Sequence, residues 1–214
     1  MPSLSIRNAT ILTMNDALDV VEGDVLVVDG RIAAVGAVDE TGDTVVDAAG
    51  DYLLPGFVQT HIHLCQTIFR GYADDLRLLD WLRTRIWPME AAHTPESLRA
   101  AATLACHELL RSGTTSILTM ETVHDTEAVF EAVAASGIRA TIGKCMMDAP
   151  HPDVPARLRE VTQASIRDSE TLYIQWHGAA NGRIRAAFAP RFALSCTRDL
   201  LEAVAGLSSA HAAL

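Results

Sequence analysis

From Phe57 onward the chain alternates strand-like and helix-like segments four times, and no other feature restricts its fold as much. "FVQTHIH", "TTSILTM" (Thr114–Met120), "IRATIGKCMM" and "GRIRAAFAPRF" are short apolar runs of the kind that pair inside sheets. Each precedes a predicted helix. The first spans Thr94 to Gly113, with Thr94 as N-cap, Pro95 in the first turn and Gly113 as the stop. The second runs from Asp125 to Gly137, the third from about Pro155 to Trp176, and the fourth covers "TRDLLEAVAGLSSAHAA". Such alternation marks βα units around a parallel sheet. No GxGxxG follows the first strand, so the four units read as half of a (β/α)8 barrel rather than part of an open doubly wound sheet.

The first fifty residues have a different rhythm. "GDVLVVDGRIAAVG" (Gly23 to Gly36) holds two β-branched runs around Asp29-Gly30, a tight-hairpin signal, and "ATILTM" and "DTVVDAAG" read as further short strands. Pro55-Gly56 then breaks the pattern. The expected organisation is a β-rich segment over residues 1–54 and the first half of a barrel over 55–214.

Bulk properties exclude several classes. Apolar residues make up 49% of the 214. No run of 18 of them is uninterrupted, and the N-terminus lacks a basic stretch followed by an apolar one, so neither a membrane partner nor a secretory signal is expected. A net charge of −10 argues against a nucleic-acid partner, whose binding draws on Lys and Arg. Cys65, Cys106, Cys145 and Cys196 form no CxxC pair, which points to free thiols in a reducing compartment, by default the cytoplasm.

The first barrel strand ends in His61-Ile62-His63. Side chains alternate along a strand, so both imidazoles face one side, and active sites of barrels sit at the C-terminal strand ends. An isolated HxH arises readily by chance. This one follows "LPGF" and closes the first strand of a repeating series, which shifts the reading to metal ligation by His61 and His63.

"LLPGFVQTHIH" after a β-rich segment resembles the amidohydrolase superfamily of metal-dependent hydrolases on (β/α)8 barrels. "HLCQTIFRGYADDLRLLDWLRTRIWPME" and "APRFALSCT" are similar to the branch holding deaminases of 5′-deoxyadenosine, methylthioadenosine and S-adenosylhomocysteine, guanine deaminase and triazine chlorohydrolases. The resemblance implies hydrolysis of a non-peptide carbon–nitrogen bond, foremost deamination of an aminopurine nucleoside such as 5′-deoxyadenosine. Guanine deamination and triazine dechlorination are the alternatives, with an inactive remnant as a third. It implies one divalent ion, zinc ahead of iron, a small aminoheterocycle as partner, and a homo-oligomer as an option for the full-length protein.

In that branch a third histidine lies in an HxxE on strand five, a fourth on strand six and an aspartate on strand eight. The chain is expected to stop before strand five, so no catalytic residue is assigned within it and residues 1–214 alone are expected to be inactive. His211 has no glutamate three residues on and is not assigned as the third ligand. Glu90 matches the ribose-hydroxyl binder of the adenosine-type enzymes, whose carboxylate can accept two hydrogen bonds from a vicinal diol. Without the resemblance an exposed loop glutamate is an equal reading. Gln66 is a candidate for a purine edge. Arg191 and Phe192 match the "PRF" of guanine deaminase, whereas adenosine-type enzymes carry histidine at the Arg191 position. Trp81 and Trp87 read as an aromatic wall or as packing, and His93, His107, His124 and His177 are unassigned. Arg191 cannot serve as a carboxylated bridging lysine and Lys144 is a weaker candidate, so one metal is expected rather than two.

Overall fold

The computed structural model describes residues 2–214, which form two compact units dividing after Gly56. The first is a five-stranded sheet of β1 (Ser3–Leu12), β2 (Val20–Val28), β3 (Arg31–Gly36), β4 (Thr44–Asp47) and β5 (Tyr52–Leu53). β1 pairs antiparallel with β2 and parallel with β4 and β5. The β2–β3 hairpin turns on Asp29 and Gly30, both at positive φ (51° and 71°), as its right-handed twist requires. Ala9, Ile11 and Val25 form its small core.

The second unit carries four parallel strands in the order β6 (Phe57–Ile62), β7 (Thr114–Met120), β8 (Arg139–Met146), β9 (Ile184–Pro190). The helices are α1 (Leu78–Trp81), α2 (Trp87–Ala92), α3 (Pro95–Arg111), α4 (Glu127–Ser136), α5 (Thr162–Trp176), the single turn α6 (Ala179–Gly182) and α7 (Arg198–His211). In α3, Leu98, Ala102, Ala105 and Cys106 recur at helical spacing and are buried against Val129, Phe130 and Val133 of α4 and Ile117, Ile142 and Ile184 of the strands. Thr94 caps α3 with Ser97 in a reciprocal capping box, and Gly137 stops α4 at φ 87°. Sequential strands with helices between them give four βα units, an architecture of part of a (β/α)8 barrel. None of the helices among the described residues is long and apolar enough to cross a membrane.

One local expectation changes. Residues 155–161 are not helical. Only a short 3₁₀ turn, Ala156–Leu158, forms before α5. Glu160 holds this segment against the end of β8: its carboxylate pairs with Lys144 and accepts from the Met147 amide and the Ser165 hydroxyl, partly buried contacts that draw the chain away from a helical path. Lys144 is thereby committed outward to Glu160 and does not enter the strand interior. Residues 78–92 are helical almost throughout, with Pro88 inside the helical run. A π-turn at Leu82–Ile86, in which the Trp87 amide reaches back to the Leu82 carbonyl, widens the helix just before the proline, which has no amide to donate.

The strand interior is lined with very small side chains. A Cβ at Gly143 would lie 2.5 Å from that of Ala189, so β8 and β9 could not keep this register with anything larger there. Gly143, Ala187 and Ala189 leave a cavity of about 360 Å³, which His61 and His63 face.

Candidate functional site

β6 ends at Ile62, so His61 lies at its last pleat and His63 is the first residue beyond it. The two rings share a cavity, with centroids 5.3 Å apart and planes at 80°. His63 Nδ1 lies 2.7 Å from the Met120 carbonyl oxygen, an acceptor that requires the proton on Nδ1 and leaves Nε2 with its lone pair. Burial, partly offset by this hydrogen bond, lowers the pKa of His63 below the usual histidine range, so the ring is neutral near pH 7. A neutral imidazole whose second nitrogen donates to a carbonyl is the form in which histidine ligates metal. Two imidazoles bound to one ion at about 2.0–2.1 Å would set their centroids roughly 5 Å apart, which fits the observed pair. Among the described residues no group of three or more His, Cys, Asp or Glu side chains is arranged to hold a metal ion.

Three of the four pocket candidates are together. Gln66 Nε2 donates to Glu90 Oε1 at 2.9 Å, and Arg191 pairs with both Glu90 oxygens, one contact short and the other 3.3 Å. Glu90 is 1% and Arg191 6% exposed. The exposed-loop reading of Glu90 is therefore corrected: it sits on α2 with its carboxylate facing the end of β9. The cluster lies near enough to the histidines that the charges of Arg191 and Glu90 act in opposite senses on His63. Phe192 is separate. It holds φ 57°, ψ 123°, a sparsely populated conformation for a side chain of its size, and is 45% exposed. Trp87 is packing, buried with Leu82, Ile86 and Leu158. His211 packs at a tilt against the stacked Tyr173 and Phe188 rings and pairs with Glu170.

Two further residues bear on the site. Glu121, 2% exposed, accepts from the amides of Leu64 and Cys65 at 2.9 Å each. His93 Nε2 meets the Cys65 carbonyl at 3.0 Å, and its Nδ1 meets the Ser97 hydroxyl, which links the same turn to the start of α3. Neither stands out in sequence, because a buried polar residue is recognised by its partners rather than by a motif; the one available signal was two carboxyl- and hydroxyl-bearing residues, Thr119 and Glu121, at a strand end.

Burial raises the Glu121 pKa to about 7, against the hydrogen bonds that lower it. A carboxyl that binds its proton more tightly when folded costs stability as pH rises from the unfolded value near 4.5 through the folded value near 7. Between pH 4.5 and 7.5 the wild type is expected to lose on the order of 3 kcal/mol relative to Glu121→Gln. Comparing the two slopes by denaturant titration cancels the histidines. Parallel slopes would rule the effect out.

A model described as "Amidohydrolase family" matches residues 52–213. The chain is 39% identical over 206 residues to a 5′-deoxyadenosine deaminase of Methanosarcina mazei, covering 95% of this chain and 46% of that protein. Among solved structures, an adenosine deaminase of Xanthomonas campestris with bound zinc superposes with a TM-score of 0.85 at 28% identity, over 99% of this chain and 48% of that one. E. coli guanine deaminase superposes with a TM-score of 0.80 at 28% identity, over 99% and 52%. The chain thus spans about half the length of the relatives it matches.

Proposed function

Because the chain belongs to the amidohydrolase family, we propose that it supplies the histidine pair and part of the substrate pocket of a hydrolytic deaminase acting on an aminopurine nucleoside such as 5′-deoxyadenosine. The observation that carries this is the His63 ring, kept neutral by burial and oriented by its Nδ1 hydrogen bond to the Met120 carbonyl, with Nε2 available beside His61. The Methanosarcina relative's activity and the zinc in the Xanthomonas structure support the substrate class and the metal. In this reading residues 1–54 are the β-rich segment, 55–214 the first half of the barrel, and one divalent ion is held, zinc ahead of iron. Four buried free thiols suit a reducing compartment such as the cytoplasm.

When bound, a divalent ion at such a site acidifies water and polarises the atom under attack. The chain's own part is binding and orientation. His61 and His63 present two imidazoles to the cavity. Glu90 is the candidate for the ribose diol, Gln66 for the purine edge, and Arg191 and Phe192 for the rim. Both oxygens of Glu90 are already hydrogen-bonded, so a diol reaching it competes with Arg191 or shares the remaining lone pairs. Arg191-Phe192 keeps a guanine-type substrate as the second reading.

The full-length protein, assayed with 5′-deoxyadenosine, adenosine, guanine and a chlorotriazine, is expected to release ammonia fastest from 5′-deoxyadenosine. Faster turnover of guanine, or chloride release from the triazine, would replace the nucleoside reading.

A further inference from the structure

Three consecutive residues at the end of β7 address four consecutive residues at the end of β6. The Thr119 hydroxyl is 2.9 Å from the Ile62 carbonyl, the Met120 carbonyl accepts from His63 Nδ1, and the Glu121 carboxylate accepts from the Leu64 and Cys65 amides. His63 is the N-cap of the 3₁₀ turn Leu64–Phe69 but its side chain makes no capping hydrogen bond, because its ring is turned to the cavity. The first amides of a helical turn have no partner within the turn. Glu121 satisfies two of them from a neighbouring strand.

We propose that Glu121 is a positioning residue for the histidine pair: by clamping the Leu64 and Cys65 amides it fixes the turn that aims His63 at the metal. The inference rests on the metal-binding reading of His61 and His63. Geometry favours it over simple packing. A carboxylate is a poor filler for a buried site unless its acceptor capacity is used, and here both oxygens are used, Oε1 by Leu64 and also by Thr119, Oε2 by Cys65. The amides it holds belong to the two residues after His63. A rotation of that turn would swing the imidazole off the Met120 carbonyl and change both its tautomer and its direction.

A glutamine side chain in place of Glu121 keeps the volume but offers one acceptor oxygen where two amides need one each, and its own NH2 opposes the other amide. In the full-length protein reconstituted with Co²⁺, Glu121→Gln is expected to bind the ion about 10- to 100-fold more weakly, the range for partners that orient metal ligands, and to shift its visible absorption bands. A purely structural role would lower the melting temperature and leave the cobalt spectrum and affinity of the folded protein as in the wild type; that result overturns the proposal. Should Glu121→Gln not fold, Thr119→Val cuts the same network at the hydroxyl, and the same two readouts decide. His63→Ala separates the premises. If it binds cobalt as the wild type does, the metal reading falls and this inference with it; if it loses cobalt while Glu121→Gln does not, this inference alone falls.

Discussion

His63→Ala is expected to reduce divalent-metal affinity by more than about 100-fold, since even residues that merely orient a ligand are worth 10- to 100-fold, and to abolish the deamination proposed for the full-length protein. The expectation comes from the state of the ring. Its Nδ1 proton is committed to the Met120 carbonyl, and burial holds the imidazole neutral at pH 7, so Nε2 carries a free lone pair at no further protonation cost. His61→Ala is expected to have a similar effect, because the two rings share one cavity and two donors already fall short of the three that a catalytic zinc usually has. His107→Ala is the control: that side chain is exposed on α3 and should leave metal content unchanged. Metal analysis by plasma emission on each purified variant, with ammonia release alongside, reads the result. Retained metal and turnover in His63→Ala would remove the ring from the site altogether.

Strand-level features were legible because they rest on local chemistry. β7 occupies the predicted Thr114–Met120, and the ends of α3 and α4 follow from Thr94, Ser97 and Gly137, whose preferences act within a turn. The HxH pair was readable for the same reason, since alternation along one strand puts both rings on one face. Residues 78–92 were harder. Pro88 is a breaker by its own chemistry, and only the π-turn before it lets the helix continue. Glu160 and Lys144 illustrate the general difficulty: sixteen residues apart, they meet as a buried pair that overrides the helical pattern between Pro155 and Val161. Glu121 and His93 escaped for a related reason. Their role is to satisfy backbone groups of a turn 28 to 57 residues away in sequence, and nothing in their own neighbourhood encodes that distance.

The Glu90–Arg191 pair should give the largest stability effect in the molecule. Both charges are almost wholly removed from water, 101 residues apart in sequence, and they tie α2 to the end of β9. Removing one partner of such a pair leaves an uncompensated buried charge, so Arg191→Met is expected to cost about 3–5 kcal/mol. Replacing both charges avoids that penalty. In the double variant Arg191→Met, Glu90→Gln, the amide carbonyl that replaces the Glu90 carboxylate can still accept from Gln66, while methionine fills the space of the guanidinium stem. The double variant is therefore expected to recover most of the loss, giving an interaction energy of several kcal/mol in a double-mutant cycle measured by chemical denaturation. If Arg191→Met cost less than about 1 kcal/mol, the pair would behave as a solvated surface bridge, at odds with its burial. The same double variant divides structure from recognition. It restores the fold and lacks the carboxylate proposed for the ribose diol, so a nucleoside substrate should bind it with a raised KM. Both kinds of substrate lose Arg191 in this variant, so the part of Glu90 is the excess of the nucleoside's KM shift over that of a base without ribose, and no excess would leave Glu90 as the strut that joins α2 to β9.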